Sequence, residues 1–276
     1  MKRSIFKKNK SLSAGIVFLL FIGLAGFLAP WLAPHDPLLI NLSNRLAPPS
    51  WFYPFGTDHL GRCILSRILF GTRVSALVAF FIVACTLIIS LPIGLFTGYV
   101  RGRGDHIFMR FIDGTLAIPD IVLTIAIVGV LGPGLFNMTV AIVLVRWAGY
   151  VRFIRSLVRN VCQADYILSA RMSGNGHVRI IKRYIFPRVF PSLLVYSVLD
   201  TGKVVLLMAG LSFLGLGTQP PTPEWGVMLH DAVAYFQIAP HTIIFPGLAI
   251  LLFVSACQLI SEIQSTEKVT KGKRTA

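Results

Sequence analysis

A few charged side chains lie inside otherwise apolar runs of this sequence, and these positions are the first candidates for function. Asp200 and Lys203 lie three residues apart, so a helix places them on one face, where the two side chains can form an ion pair. Arg146 lies in another apolar run. Ionisable groups within a membrane are costly and usually face a bundle interior or an aqueous path. We interpret Arg146, Asp200 and Lys203 as a polar translocation pathway, with structural ion pairing as the alternative.

Two acidic residues, Asp113 and Asp120, interrupt a third apolar run together with Arg110 and Pro119. Carboxylates at these positions offer Arg146 a partner on a different helix. One interhelical network of Arg146, Asp113 and Asp120 is therefore an equally open interpretation of the buried charges.

The residues that usually bind metals or perform catalysis show no characteristic spacing. Histidines 35, 59, 230 and 241 match no ligand motif, and the four cysteines form no C-x-x-C pair, so no metal site and no disulfide framework is predicted. The segment around Ser212 reads GLSFLG and lacks the G-x-S-x-G pattern of a serine nucleophile. The phosphate-binding G-x-x-x-x-G-K-[ST] pattern is absent, so the chain does not bind ATP through such a loop. No catalytic residue is predicted, and the chain is interpreted as a non-enzyme.

The composition is that of an integral membrane protein. Hydrophobic residues make up 55% of the 276 residues and charged residues only 13%, whereas soluble domains have about a quarter charged residues. The net charge of +15 raises the question of nucleic acid binding. The basic residues flank apolar runs instead of forming a soluble basic face, and this pattern favours a membrane protein over a nucleic acid partner.

Apolar runs predict an all-α protein with six transmembrane helices. The predicted spans are residues 12–32, 75–100, 107–131, 138–154, 193–214 and 242–260, and the third is the least regular. The first run follows a basic start but is long enough to cross a bilayer, so it is interpreted as an uncleaved helix. Pro92 and Pro119 predict kinks. Four glycines predict close approach of helices, namely Gly98, Gly129, Gly210 and Gly215.

The distribution of Lys and Arg predicts the orientation. Basic residues concentrate before the first span, after the second and fourth spans and in the tail, while the other connections have only Arg45, Arg62, Arg67 and Arg73. The positive-inside rule then places both termini in the cytoplasm. The predicted organisation is a cytoplasmic segment 1–11, a transmembrane domain 12–263 and a cytoplasmic tail 264–276.

The longest cytoplasmic connection, residues 160–190, contains the basic stretch SARMSGNGHVRIIKRYIFP. Ala170 to Met172 favour a helix, the Ser-Gly-Asn-Gly sequence that follows favours a turn, and Val178, Ile181 and Ile185 then recur on one helical face. Charge alone leaves two interpretations open. One is a helix that grips anionic lipid headgroups, and the other is a docking element for a cytoplasmic partner.

The stretch DYILSARMSGNGHVRIIKRYIFP resembles the cytoplasmic coupling loop of ATP-binding-cassette importer permeases. Ala170, Gly174, Ile185 and Pro187 fall at the family's Ala, Gly, Ile and Pro positions, whereas Leu168 and Ser169 depart from its Glu and first Ala. The resemblance implies that this loop docks on an ATPase subunit. The implied coupling residues are Ser169, Ala170, Arg171, Gly174, His177, Ile185 and Pro187. We expect Gly174 to be required because a Cβ clashes in the turn or in the partner's groove.

Two more stretches are similar to the C-type permease of dipeptide, oligopeptide and nickel importers. FGTDHLGRCILSR, residues 55–67, resembles a signature of the first external loop, with Cys63 in place of the usual Asp. AGLSFLGLGTQPPTPEWGVML, residues 209–229, resembles the segment that joins the last two spans. The sequence SGNGHVR and the short tail favour the nickel branch of this permease family.

The resemblance implies a permease in the bacterial cytoplasmic membrane that moves cargo by alternating access. It implies a heterodimer with a homologous B-type permease, two ATP-binding subunits and an extracytoplasmic solute-binding protein. The lipid bilayer surrounds the two permeases. ATP and Mg²⁺ are then expected in the ATPase, with no cofactor in this chain. The expected cargo is nickel, free or chelated, and the alternative is a dipeptide or oligopeptide. An intramembrane enzyme and a secondary transporter are the competing classes, and no internal repeat supports the latter.

Overall fold

The computed structural model describes residues 15, 17–100 and 103–272, and at 103–104 and 261–272 it describes the helical backbone alone. The regular secondary structure of the described residues is helical, and their one β-type contact is an isolated bridge between Thr57 and Cys63. The all-α prediction is confirmed for this part of the chain. The predicted cytoplasmic segment 1–11 lies outside the described residues, as does the end of the predicted tail after residue 272.

The helices follow one another along the chain, with short connections between most of them. We number them α1 Val17–Phe27, α2 Ala29–Leu32, α3 Ile64–Tyr99, α4 Arg103–Leu116, α5 Asp120–Leu131, α6 Leu135–Cys162, α7 Asp165–Met172, α8 His177–Ile180, α9 Phe186–Phe213, α10 Trp225–Ala232 and α11 His241–Gly272. A π-helical turn, Ile181–Ile185, joins α8 to α9, and the short 3₁₀ turns Leu42–Asn44 and Val233–Tyr235 lie in connections.

Three of the described helices are long and apolar enough to cross a membrane, and a bent pair raises the number to four. The three are Ile64–Tyr99, His177–Phe213 and His241–Ile260. With 36 residues, α3 is about 54 Å long, which exceeds the roughly 30 Å of a hydrocarbon core. The first predicted span is described as the shorter apolar helix α1 followed by α2. Six spans and cytoplasmic termini stay predictions.

The third predicted span, residues 107–131, is broken where the sequence predicts a kink at Pro119. Its residues belong to α4 and α5, which meet at an angle of 84°. Pro119 has no backbone N–H and disfavours helical geometry at the residue before it, so α4 ends at Leu116 and α5 begins at Asp120. In contrast, α3 continues through Pro92 to Tyr99.

The chain divides into two compact units, which are described separately. The first comprises Met1–Phe81, Val128–Thr139 and Val198–Ala276. Trp225 is its largest fully buried side chain, and its ring contacts Phe253 at 5.9 Å between centroids. A Cβ at Gly226 would lie 2.6 Å from the backbone of Ala209, so only glycine lets α10 approach α9 this closely.

The second unit comprises Ile82–Ile127 and Val140–Ser197. Its larger apolar cluster joins α3, α6 and the segment from α7 to α9 around Tyr99, Ile154, Val158, Ile167, Ile180, Ile185, Val189 and Leu193. The predicted close approach at Gly98 is confirmed, because a Cβ there would lie 2.7 Å from Val158. The same prediction is wrong within this chain for Gly129, Gly210 and Gly215, where a Cβ would meet nothing within 4 Å.

Candidate functional site

The basic stretch of the sequence forms two short helices joined by a tight turn. Asp165, in the first turn of α7, complements the positive end of that helix. After Met172 the chain turns at Gly174, whose φ of +73° lies in the left-handed region that favours glycine. The N–H of Asn175 and its side-chain amide both donate to the Ala170 carbonyl, at 3.3 and 3.0 Å, and cap the end of α7. The predicted helix–turn–helix is confirmed.

The apolar face predicted for the second helix is wrong at Val178. Val178 is exposed, whereas Ile180 and Ile185 are both fully buried in the same apolar cluster. These two residues are five positions apart, and a π-helical turn brings such positions to one side because its hydrogen bonds span five residues. Spacing by α-helical periods therefore identifies the buried Ile185 and the partly buried Ile181, but it selects Val178 in place of Ile180.

Tyr99, at the end of α3, holds both short helices from one side. Its hydroxyl lies 3.1 Å from Nδ1 of His177, and the Arg171 guanidinium sits 4.8 Å from the ring centroid. Tyr99 is itself buried in the apolar cluster with Ile167 and Ile180. One aromatic ring thus connects α7, α8 and a long apolar helix through a polar contact, a cation–π contact and packing.

The outer surface of this segment combines apolar and basic side chains. The residues exposed there are Leu168, Arg171, Met172, Val178, Arg179, Lys182 and Arg183. Met172 is 81% exposed, although an apolar side chain of this size is normally buried. We call this surface the coupling face; it carries the chemistry expected of a site that meets another protein.

The residues predicted for coupling divide into exposed and buried groups. Ala170 and Ile185 are buried and pack the segment onto the unit, whereas the rest are exposed, namely Ser169, Arg171, Gly174, His177 and Pro187. A Cβ at Gly174 would meet nothing within 4 Å. The expectation of a clash in the turn is therefore wrong within this chain, and the backbone conformation alone accounts for glycine there.

The predicted pathway residues have different surroundings. Arg146 Nη1 lies 3.3 Å from Asp120 Oδ2, and Arg152 Nη2 lies 3.3 Å from Asp113 Oδ1. Arg146 and Asp120 thus form an ion pair between α6 and α5, as the network interpretation expects, whereas the ion pair of Asp113 is with Arg152. In α9, Asp200 is buried while Lys203 is exposed. The pathway role of Arg146, Asp200 and Lys203 stays a prediction.

A buried charge cluster that sequence reasoning did not assign lies at the start of α3 and in α10. Asp58 Oδ2 accepts from Arg62 Nε at 2.7 Å and from Arg67 Nη1 at 2.9 Å, and its Oδ1 accepts from the N–H groups of Leu60 and Arg62. Asp231 lies 3.5 Å from Arg62 and 3.9 Å from Arg67. Burial raises the pKa of Asp231, although His59 and Arg62 lower it in part.

The loop that holds this cluster depends on glycine. Gly61 has a φ of +75°, and a Cβ there would lie 1.8 Å from the Asn41 carbonyl oxygen. Cys63, at the position where the resembled signature has Asp, is 1% exposed and packs as a small apolar residue. Three of the four charged residues belong to the FGTDHLGRCILSR stretch, so their close spacing in the sequence could have indicated an ion-pair cluster. Asp231 is 169 positions from Arg62, and no sequence pattern indicates its place in the cluster.

A second buried acid, Glu224, begins α10. Its carboxylate accepts from the Val227 N–H at 3.0 Å and from the Ser75 hydroxyl at 3.2 Å. Trp225 adds two contacts, from its N–H to Ser75 Oγ and from its ring N–H to the Ile68 carbonyl. Burial raises the pKa of Glu224, against the lowering effect of the Gly226 and Val227 N–H groups. Glu224 and Trp225 therefore fasten α10 to α3.

Two families match the sequence. Residues 90–265 match the binding-protein-dependent transport system inner membrane component, and residues 3–49 match the N-terminal transmembrane domain of oligopeptide transport permease C. Together these matches include the coupling face and the end of α3, and the first one includes α10.

Curated relatives cover nearly the whole chain. A dipeptide transport system permease of Haemophilus influenzae is 40% identical over 263 residues, 93% of this chain and 89% of the relative. A nickel transport system permease of Escherichia coli K12 is 40% identical over 252 residues, 91% of each chain. A glutathione transport system permease of Pectobacterium atrosepticum is 40% identical over 261 residues, 94% of this chain and 86% of the relative. The chain therefore belongs to the inner membrane components of binding-protein-dependent transport systems, as a C-type permease of the ABC importers for dipeptides, oligopeptides and nickel.

Proposed function

We propose that this permease couples ATP hydrolysis in a partner subunit to the uptake of nickel, free or chelated, through the segment Asp165–Pro187. The chain is a multi-pass inner membrane protein and a transport component, not an enzyme. In the proposed arrangement six helices span the membrane with both termini in the cytoplasm. A homologous B-type permease, two ATPase subunits and a solute-binding protein complete the importer.

The observation that carries the coupling role is the coupling face. It presents exposed Met172 and Val178 among arginines and lysines, while Ile167, Ile180 and Ile185 fix the same segment to α3 and α6. Apolar side chains ringed by basic ones suit a groove with an apolar floor and an acidic rim. A displacement of this segment is transmitted to α3 through Tyr99, because Tyr99 contacts both His177 and Arg171.

Copurification tests this role. We expect Met172→Glu to lower ATPase copurification and cargo uptake at least tenfold, since it places a charge in the apolar part of the contact. The matched control is Gln163→Glu, which adds the same charge at an exposed position outside the coupling face. Equal copurification of both variants and the unchanged transporter would exclude this face as the ATPase contact.

The cargo is the finer part of the proposal. The nickel and dipeptide relatives are both 40% identical to this chain, so a dipeptide is the second candidate. The sequence SGNGHVR, residues 173–179, supports nickel. In a deletion strain, we expect loss of nickel-dependent enzyme activity with unchanged growth on dipeptides, and restoration by the cloned importer. Loss of dipeptide growth with normal nickel-enzyme activity would reverse the order of the two candidates.

A further inference from the structure

A half-open groove of about 600 Å³ lies in the second unit, between the last turns of α3 and the start of α4. Its walls are almost entirely apolar and come from Pro92, Ile93, Phe96, Thr97, Val100 and Phe108. Phe96 is 62% exposed. This volume lies within the range of sites that bind small molecules, and its apolar walls suit a hydrocarbon chain.

Among the described residues of the groove wall, the charged one is Asp105, which two arginines of α6 contact. Its side chain is only 6% exposed; Arg155 donates through Nε at 3.1 Å and through Nη2, and Arg159 donates through Nη2 at 3.2 Å. Two positive charges against one negative charge leave an excess of one positive charge beside the groove. An uncompensated charge that is partly buried favours an anionic ligand.

Arg159 also has unused donor capacity. Its Nε is buried and has no hydrogen-bond partner among the described residues, while its side chain as a whole is 38% exposed. A buried donor without a partner is costly. The planar guanidinium group is suited to phosphate because it can donate two parallel hydrogen bonds to neighbouring oxygens.

We propose that this groove binds an anionic phospholipid, whose phosphate contacts Arg159 and whose acyl chain lies along Phe96 and Ile93. The groove lies at one end of the apolar helix α3, and since this helix is longer than the hydrocarbon core, we place its end at the level of the headgroups. Basic pockets between membrane helices are known to hold anionic headgroups. The site is independent of the transported cargo.

Both parts of the groove are needed for this choice of ligand. Free phosphate would use the arginine but leave the apolar walls without a partner. The acyl chain of a zwitterionic lipid would pack against the apolar walls. Its positive choline group, however, offsets its phosphate charge, so this lipid would not compensate the excess positive charge at Arg159. An apolar helix of another subunit would cover Phe96 but would supply no anion.

The test measures retained lipid on the intact importer. The complex is reconstituted in nanodiscs that contain equal amounts of phosphatidylglycerol and phosphatidylcholine, extracted in detergent, and analysed by native mass spectrometry. We expect the unchanged complex to retain phosphatidylglycerol several-fold over phosphatidylcholine. Arg159→Gln should reduce that retention about tenfold, the effect expected for one charge-assisted hydrogen bond.

Two matched controls make the result specific. Arg152→Gln removes a positive charge from the same helix, but Arg152 pairs with Asp113 outside the groove. Phe96→Ala removes a groove wall, whereas Phe111→Ala removes an equally exposed ring that does not line the groove; the two rings are 62% and 63% exposed. Arg152→Gln and Phe111→Ala should retain phosphatidylglycerol like the unchanged complex.

Three outcomes would overturn the proposal. They are equal retention of the two lipids by the unchanged complex, equal losses in Arg159→Gln and Arg152→Gln, and full retention in Phe96→Ala. If Arg159→Gln does not assemble, Phe96→Ala against Phe111→Ala decides alone, because both leave every charge in place.

Discussion

The charged side chains of the coupling face are exposed, whereas those of the buried charge cluster are paired with one another. On the coupling face, basic side chains are exposed, and buried isoleucines hold the segment in place. In the cluster, Arg62 and Arg67 are 3% and 1% exposed and are paired with Asp58 and Asp231 inside the chain. Exposed charge is available to another protein, whereas paired buried charge fixes a loop and is not accessible to a partner.

This difference separates recognition from scaffolding. A site that meets a partner keeps its donors free until contact, and a structural site satisfies them within the chain. Both regions contain Gly residues with positive φ, a basic motif and an apolar helix nearby. Sequence patterns therefore describe them similarly, and only burial distinguishes them.

The largest expected effect is at Arg67. Arg67→Met removes a donor 2.9 Å from Asp58 and leaves the buried Asp58 and the partly buried Asp231 with one arginine, so we expect a loss of about 3–5 kcal/mol in the free energy of unfolding. Arg45→Met is the control, because Arg45 is exposed and, among the described residues, its side chain contacts the Tyr235 hydroxyl and ring; its cost should stay below about 1 kcal/mol. Unfolding of the detergent-solubilised importer, followed by tryptophan fluorescence, measures both. Similar losses would remove the distinction between the regions.

The second prediction compares two glycines with nearly equal backbone conformations. Gly61→Ala adds a Cβ that would lie 1.8 Å from a backbone oxygen, so the loop must move, at a cost of about 3 kcal/mol. Gly174→Ala meets open space at a φ of +73° and should cost only about 1–2 kcal/mol. Gly176→Ala, at a φ of −65°, should be nearly neutral. The same unfolding measurement, followed by tryptophan fluorescence, ranks the three glycine variants. A loss at Gly174 as large as that at Gly61 would contradict the open space around the Gly174 turn.

The third prediction is a pH dependence at Glu224. Because burial raises its pKa in the folded protein above the ordinary 4.5, the folded state binds more protons than the unfolded state just above that pH. The free energy of unfolding should therefore fall as the pH rises through this window, by up to about 1.4 kcal/mol per pH unit. Glu224→Gln keeps an acceptor for Ser75 but cannot ionise.

Thermal unfolding of both proteins from pH 4 to pH 8 checks this sign. The unchanged protein should lose stability relative to Glu224→Gln as the pH rises. Asp231 titrates in both proteins, so its contribution cancels in the difference. Parallel curves would show that Glu224 has no raised pKa.

The smallest expected effect is at Tyr99. Tyr99→Phe removes the hydroxyl 3.1 Å from His177 but keeps the ring beneath Arg171, so stability should fall by about 1 kcal/mol. Tyr166→Phe is the control, since the ring of Tyr166 packs with Arg188 in the same segment. If the Tyr99 hydroxyl transmits motion, Tyr99→Phe should also lower transport per ATP hydrolysed. A change in stability alone would limit its role to packing.

Much of the fold followed from hydrophobic runs and turn residues. The long apolar helices appeared near their predicted positions because about twenty apolar residues leave a membrane segment few alternatives. The proline at position 119 predicted the break in the third span. The bend of 84° was not predicted, because a bend angle depends on packing around the helix. The burial of Ile180 was missed because a π-helical turn has no residue signature of its own.

The sequence by itself determined that this protein is an all-helical membrane permease with a basic segment that turns at a glycine, because apolar length, charge distribution and turn residues are local properties. Only the tertiary structure decided which charges are buried. The pairing of Asp58, Arg62 and Arg67 with Asp231, the bond from Glu224 to Ser75 and the contact of Tyr99 with His177 join residues that are far apart along the chain. Burial and pairing depend on which helices meet, and no local pattern encodes that.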